Sequence, residues 1–470
     1  MLQGRRLSGI EWEQLFDSID LSESVKLLEP MYHKLDEELK PCFLYMSFLK
    51  ENAIMREEKL EHIWATSGLD THRKGFLGEG PCAGLVKESI IEVVHEFPFE
   101  LEVKKCSRNP VLHMLAIKRA EEEIGFEILR SNGNNLPSQN PRHRVIQCGR
   151  EIFNHSNNQD RHLASLIFHG GGRYLDDVSP SYWESFELLK ILGMEGFGVK
   201  TLPETIGILS GLMYLGLRNN YIQEILRSLE GLKRLDVLDI ALNFMVEVPD
   251  IIKEMCSLCH LYMSDVICRK PLKIDSLQDL KTLAYISIHD WTYEGSNLET
   301  MTRLQKLGIE EVDENSDVGK LFSSLAKLGN LRDLILRGFR FRSMPCLDEI
   351  RVLEKLDTSA DNFPYIKYMA LVNTCLDEDP MPILEKLPCL RRLKLQNAYT
   401  GREMVISDRG FFRLQILHME LWNLRKIQVG EDAMWSLGQL NINCPHLETL
   451  PEELMKKLNK FKMVIVTSRI

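Results

Sequence analysis

The 470-residue chain lacks a long hydrophobic run. Its longest apolar run, Phe43 to Leu49, is far shorter than the roughly 20 residues needed to cross a bilayer. No secretion signal is expected either, because Met1-Leu2-Gln3-Gly4-Arg5-Arg6 leads into polar and acidic sequence. Positive charge is not in excess. With 58 Lys+Arg against 68 Asp+Glu the net charge is -10, which argues against a general nucleic-acid binder. The eleven cysteines are odd in number and scattered, so they form no disulfide framework and suit a reducing compartment. These absences point to a cytoplasmic protein with no membrane span. At 44% hydrophobic and 27% charged residues the chain is not a disordered one.

Catalytic and cofactor signals are missing as well. The thirteen histidines form no triad with serine or cysteine partners. No G-x-x-x-x-G-K-[ST] occurs, so no loop of backbone amides and lysine is available to cradle phosphates. Cys256-x-x-Cys259, near His260 and Cys268, has too few well-placed ligands for a structural zinc site, and Leu258 between them reads as core. Glu121-Glu122-Glu123 reads as a solvated helix face. The expectation is no enzyme, no metal and no resident cofactor.

What the sequence does have is a repeat. Leu212-Met-Tyr-Leu215-Gly-Leu217-Arg-Asn-Asn220-Tyr-Ile222 fits L-x-x-L-x-L-x-x-N-x-L at every fixed position. Leu235, Leu238, Ile240, Asn243 and Met245 repeat it 23 residues on, followed by Leu258, Leu261 and Met263. Leu189, Leu192 and Met194 precede it by the same step. The pattern then loosens through Leu283-Ile286-Ile288, Leu304-Leu307-Ile309 and Leu331-Leu334-Leu336, with a partial unit at Leu353-Leu356. It resumes at Ile366-Met369-Leu371, Leu390-Leu393-Leu395, Leu414-Leu417-Met419 and Leu437-Leu440-Ile442. A second mark, an apolar residue followed by proline, recurs at Leu202-Pro203, Val248-Pro249, Met344-Pro345 and Leu450-Pro451. Spacing such as Ile206-Leu209-Leu212 predicts helical turns on the outer side.

A unit of about 23 residues cannot bury its own leucines, so the units must stack and share one core. The fold class expected is an α/β leucine-rich-repeat solenoid with a concave parallel sheet. The uneven steps between Met263 and Leu371 predict an irregular stretch with protruding loops. Asn220 and Asn243 occupy the position whose side-chain amide satisfies backbone groups in the turn after each strand. Outward strand positions make a broad surface suited to a macromolecular partner. Its candidate contact residues are Tyr214, Arg218, His260, Tyr262, Tyr285, His289, Arg332, Arg337, Arg391, Arg392 and Lys394, aromatic and basic types that often anchor interfaces.

The part before the repeats reads as mainly helical. Short helices are expected at Glu11 to Ser18, at Glu29 to Lys40 leading into Pro41 to Met46, at Lys59 to Ser67 ended by Gly68, and at Val111 to Phe126. Leu85 to Val94 suggests a helix running into a strand, and Phe97 to Cys106 a strand hairpin. Helices with a small hairpin are the parts of a winged-helix domain. The boundaries expected are 1–46 for a helical segment, 47–130 for the winged helix, 131–160 for a linker and strand, and 161–470 for the repeats. Arg161 to Phe168 would be a capping or first irregular repeat.

Several phrases then resemble one family. Leu35-Asp-Glu-Glu-Leu-Lys-Pro-Cys-Phe-Leu-Tyr-Met-Ser47 is similar to the LP-x-x-LK-x-CFLY motif of plant intracellular nucleotide-binding leucine-rich-repeat disease-resistance proteins of the coiled-coil class. Lys59 to Gly68 resembles their LI-x-x-W-x-A-E-G helix, and Leu115 to Glu123 their LAI-x-K-A-x-EE helix. Glu378 to Pro388 and Asn443-Cys-Pro-His-Leu447 resemble phrases of their repeats. The resemblance implies innate immunity: the repeats recognise a pathogen effector or a guarded host protein, and a full-length receptor is a further partner. It also exposes two departures. The family's nucleotide-binding domain has no counterpart here, so ADP or ATP is expected only with an upstream domain. Its Met-His-Asp motif falls, without gaps, on Arg108, Asn109 and Pro110, where proline has no amide hydrogen. His113 takes the histidine position only if three or four residues are deleted. The resemblance thus implies a sensor without its nucleotide switch. The alternative is a general repeat scaffold or adaptor. A winged-helix nucleic-acid binder would have only Arg142 and Arg144 in the linker to support it.

Overall fold

A computed structural model describes residues 22–50, 55–69, 80–94, 105–108, 110–130, 140–148, 160–171, 181–243, 246–264, 266–267, 272–292, 300–313, 316, 318–325, 327–338, 365–457 and 463–467. The expected helix at Glu11 to Ser18, most of the 131–160 linker, and Met344-Pro345 with Leu353-Leu356 lie outside them. The chain divides into two units, Met1–Gly193 and Met194–Ile470.

The first unit opens with helices α1 (Ser22–Lys34) and α2 (Leu39–Leu44), the latter running into a 3-10 turn at Tyr45–Phe48. The sequence predicts a helix from Glu29 to Lys40 leading directly into an apolar helix from Pro41. Instead a break separates α1 from α2, and Pro41 falls in the first turn of α2, where a missing amide hydrogen costs nothing. Helix α3 (Glu57–Thr66) starts on Glu57 and Glu58, whose charges suit the positive end of the helix dipole. It stops at Gly68, with φ +85°. The Leu69 amide reaches back to the Trp64 carbonyl at 2.9 Å and the Gly68 amide to Ala65 at 3.0 Å, a closure that needs a left-handed residue. Helix α4 (Pro81–Lys87) leads into a strand, as the apolar segment predicts.

Strands β1 (Met55–Arg56), β2 (Ile91–Val94) and β3 (Lys105–Arg108) form a three-stranded antiparallel sheet in the order β1-β3-β2. Helix α5 (Pro110–Glu123) follows at once, with Pro110 as its first residue. Leu60, Ile63, Trp64, Leu85 and Leu115 are wholly buried between these elements. On the surface of α5, Tyr32 donates to Glu123 at 2.7 Å, while Lys118 (2.7 Å) and Arg119 both bind Glu29. Helices and sheet together make the winged-helix part.

A parallel ladder starts in this same unit, earlier than the sequence boundary places it. Its strands are β4 (Phe126–Arg130), β5 (His143–Cys148), β6 (Ser165–Gly170) and β7 (Ile191–Gly193), joined in that order, with the short helix α6 (Ser181–Glu184) before β7. The segment Val111 to Phe126 reads as one helix in sequence, but Gly125 at φ +67° ends it and turns Phe126 into the ladder. The winged-helix part and these first rungs share a core. Phe48 stacks on Phe126 at 5.4 Å, and both Tyr45 and Phe48 contact the buried His143 ring. The Phe48 carbonyl lies 2.8 Å from His169 Nε2. Arg144, buried in β5, bonds Glu127 at 2.5 Å and also Asp160. A buried cation needs such compensation for the water it loses.

The second unit carries the longer ladder. Its main strands are β8 (Tyr214–Gly216), β9 (Val237–Asp239), β11 (His260–Tyr262), β13 (Thr282–Ser287), β14 (Lys306–Val312), β15 (Asp333–Gly338), β16 (Tyr368–Val372), β17 (Arg392–Gln396), β19 (Ile416–Glu420), β21 (Gln439–Asn443) and β22 (Met463–Thr467). All pair in parallel and in sequence order. Two small parallel pairs flank them, β10 (Val246–Glu247) with β12 (Val266–Ile267), and β18 (Glu403–Ile406) with β20 (Lys426–Val429).

The repeat leucines make the core. Leu212, Leu215, Leu217, Leu235, Leu238, Ile240, Leu258, Leu261 and Met263 are all fully buried, each worth about 1.5–3 kcal/mol. The apolar-proline marks end in 3-10 turns, Glu204–Ile208 after Pro203 and Ile252–Glu254 after Pro249, where the spacing predicts helical turns. Consecutive turns nest closely. A β-carbon on Gly207 would lie 2.1 Å from the Ser228 carbonyl, and one on Gly231 2.4 Å from that of Gly207.

The asparagines take the predicted place. Asn220 Oδ1 accepts from the Gly198 and Val199 amides at 2.8 and 2.9 Å, and its Nδ2 donates to Met194 and Leu217 carbonyls, both at 2.8 Å. Asn243 repeats this, accepting from Ile222 at 3.2 Å and donating to Leu217 and Ile240 at 2.8 and 2.9 Å. The irregular stretch is present as well. Register shifts between Leu283 and Ile286 and between Ile309 and Val312 coincide with positive φ at Tyr285 (+60°) and Glu311 (+62°). Each shift is a bulge that breaks the strict period.

Candidate functional site

The face of the second ladder turned away from the leucines carries most of the candidate contact residues. Many of them are engaged with each other. Tyr214 is buried, because Gly216 leaves room for its ring and Glu195 accepts its hydroxyl at 2.6 Å. Arg218 bonds Asp239 at 2.9 Å. His260 is half-buried, 3.0 Å from the Thr282 hydroxyl, and Tyr262 is buried. Tyr285 lies across Gly308.

Arginines are clamped between rings and carboxylates. The Arg337 guanidinium sits 5.4 Å from the Tyr285 ring centre and 3.6 Å from Glu310. Arg392 lies 5.4 Å from the Tyr368 ring and 4.0 Å from Asp333. Such stacking fixes a long side chain in advance of any partner. Lys394 is buried between Ala370 and His418 of the adjoining strands. Burial lowers its pKa to about 8, against the opposing pull of Glu420. Burial and the Lys394 charge press His418 down to about 4, so it is neutral at pH 7. Beside them, buried Gln396 Oε1 accepts no hydrogen bond among the described residues.

Three candidates lie elsewhere. His289 is exposed on the short helix Ile288–Trp291 that follows β13, off the strand face. Arg332 and Arg391 are exposed one residue before their strands, at the lip of the ladder. The partners that organise this face, Glu195, Asp239, Glu310 and Asp333, are invisible to the leucine period, because each belongs to a different repeat from the side chain it holds.

Of the altered phosphate-contact motif, Arg108 ends β3, Pro110 begins α5, and Asn109 lies outside the described residues. His113 is buried within α5. Cys256 is exposed and Cys259 half-buried, while Cys268 lies outside the described residues. Among the described residues no three His, Cys, Asp or Glu side chains gather as metal ligands, and no helix is long and apolar enough to cross a membrane.

A parallel ladder with buried leucines, and asparagines Asn220 and Asn243 bonding the turns after two of its strands, is the structure of a leucine-rich repeat, and the profile described as "Leucine-rich repeat region" matches residues 173–468. The chain belongs to the leucine-rich repeat region family. This leucine-rich repeat chain is 28% identical to a disease resistance protein of Arabidopsis thaliana over 93% of its own length and 50% of the relative's. It is 30% identical to the Arabidopsis disease resistance RPP13-like protein 3 over 92% of its length and 51% of the relative's. The chain thus spans about half the length of these curated relatives. Among solved structures, a Leptospira interrogans leucine-rich-repeat protein covers 65% of this chain and 91% of its own, at 16% identity and a TM-score of 0.37. The likeness to plant disease resistance proteins includes the winged-helix part as well as the repeats, since it extends over nine-tenths of the chain.

Proposed function

We propose that this chain is a disease-resistance-like protein of plant innate immunity that recognises a pathogen effector, or a host protein the effector acts on, through its repeats. Recognition is non-catalytic and takes place in the cytoplasm. The observation that carries the reading is the strand face. Arginines held in advance by Tyr285 with Glu310, and by Tyr368 with Asp333, suit a protein interface. The likeness to disease resistance proteins supplies the biological setting.

Nucleotide exchange is not part of this chain's role in our reading. The sequence has no phosphate-binding loop. Pro110, at the start of α5, has no amide hydrogen to offer a phosphate at that position. The residues of this chain are thus read as the recognition part, with a complete receptor as a further partner.

Expression of the full chain in leaf tissue, with and without candidate effectors, tests the reading. The expected result is an effector-dependent change in the cell-death response, accompanied by direct binding of that effector or its host target to the purified chain. An unchanged response to every effector, or a response unaltered by Arg392→Glu, overturns it. Titration calorimetry tests the nucleotide part, with no micromolar binding of ADP or ATP expected.

A further inference from the structure

One row of the second ladder carries an uneven share of charge. The residue just before each strand is tied to its neighbours by backbone hydrogen bonds. The Gln305 amide donates to Lys281, Arg332 to Gln305, Lys367 to Arg332, Arg391 to Lys367, and Gln415 to Arg391, at 2.7–2.9 Å. Lys281, Gln305, Arg332, Lys367, Arg391 and Gln415 therefore stack as consecutive rungs along the lip. Four are cations and none is an acid. The row's carboxylate, Asp236, lies two rungs earlier, beyond Cys259.

Arg332 and Arg391 are exposed and Lys281 and Lys367 half-exposed. None of these four has an ion-pair partner among the described residues. The nearby carboxylates are otherwise engaged: Asp333 faces Arg392, and Asp279 binds Arg303. On the outer side of the lip stand Tyr365, 55% exposed, and exposed Arg413. A chain of net charge -10 thus concentrates unpaired positive charge and one exposed aromatic along a single edge.

We infer that this lip binds an extended acidic segment of a partner polypeptide, with Arg332, Lys367 and Arg391 facing its carboxylates and Tyr365 taking an apolar side chain beside them. Rungs are spaced about 4.8 Å, so Lys281 to Arg391 spans roughly 19 Å, the length of about six extended residues. Arginine forks suit carboxylates in a bidentate geometry. A nucleic acid fits less well. Four cations release few counterions, and Asp236 and the remaining acidic surface repel a longer polyanion. The inference rests on the proposed role of the repeats as a protein-recognition surface and adds the partner's chemistry and its place.

The test uses the purified full chain and a fluorescein-labelled octaglutamate peptide, followed by fluorescence anisotropy at low and at physiological salt. The double variant Arg332→Glu/Arg391→Glu should weaken binding at least tenfold. Arg227→Glu/Arg425→Glu, an equal charge change at exposed sites off the lip, should weaken it less than twofold. Should the first variant lose its thermal transition, Arg332→Gln/Arg391→Gln serves instead, with at least a threefold loss expected. No peptide binding at low salt, or equal losses in both double variants, overturns the inference. So does tighter binding of a single-stranded oligonucleotide of the same charge with the same sensitivity. The leaf assay above has a different readout, so a failed peptide titration leaves effector recognition standing, and the reverse also holds.

Discussion

The Arg337 guanidinium lies over the ring of Tyr285, which two strands earlier occupies a bulge with φ +60°. The bulge and the cation support each other. A left-handed tyrosine turns its ring across Gly308, and the ring then supplies the face that holds Arg337 beside Glu310. Removing the cation takes one ion-pair partner from the buried Glu310 carboxylate. Arg337→Leu should therefore destabilise the chain by roughly 2 kcal/mol, read as a lower urea midpoint at unchanged slope.

Asn243 holds three backbone groups from two repeats. Alanine there leaves the Ile222 amide and two carbonyls without their partner in a buried turn. The expected loss is about 3 kcal/mol, with faster amide exchange at Ile222 as the local check. Aspartate, which keeps the acceptor but not the donor, should lie between alanine and the parent.

Gly207 nests against the neighbouring turn so tightly that one methyl group meets the Ser228 carbonyl. Gly207→Ala should cost about 1–3 kcal/mol, whereas Gly329→Ala, whose β-carbon meets nothing within 4 Å, should leave the thermal midpoint within a degree or two.

Acid should weaken both units through their buried histidines. Burial, reinforced by the Arg142 charge, lowers the His143 pKa to about 4; burial and Lys394 do the same to His418. Each folded value lies below the unfolded one, about 6.5, so the unfolded chain binds the proton first. The stability is complete above pH 6.5 and is lost as pH falls toward 4, by about 3 kcal/mol for each histidine. Urea midpoints measured from pH 7.5 to 4.5 should fall along this window. His418→Gln should flatten that fall for the second unit, and an unchanged slope would count against the assignment.

The core was legible because its rule is local. Leucines at fixed steps and Asn220 with Asn243 announce both the stack and its turn bonds within a single repeat. The recognition face follows a rule of neighbours. Tyr214 and Tyr285 read as outward contacts, yet each lies down over a glycine, Gly216 on its own strand and Gly308 on the next. The basic lip is hidden for a related reason. Its rungs are separated by 24, 27, 35 and 24 residues from Lys281 to Arg391, and only the strand pairing brings them into line. Strand β4 escaped because Phe126 to Arg130 is five residues of ambiguous alternation directly after a helix, and its partner β5 identifies it.

The aromatic core joining Phe48, Phe126 and His143 sets where related chains can trade parts. An exchange of repeats that cuts between residues 131 and 142 would pair one parent's Phe48 with another's His143 and leave the fit to chance. An exchange after Gly193, where the first unit closes, moves whole rungs without dividing that core. A chimera that keeps the first rungs together with the winged helix therefore keeps this core whole.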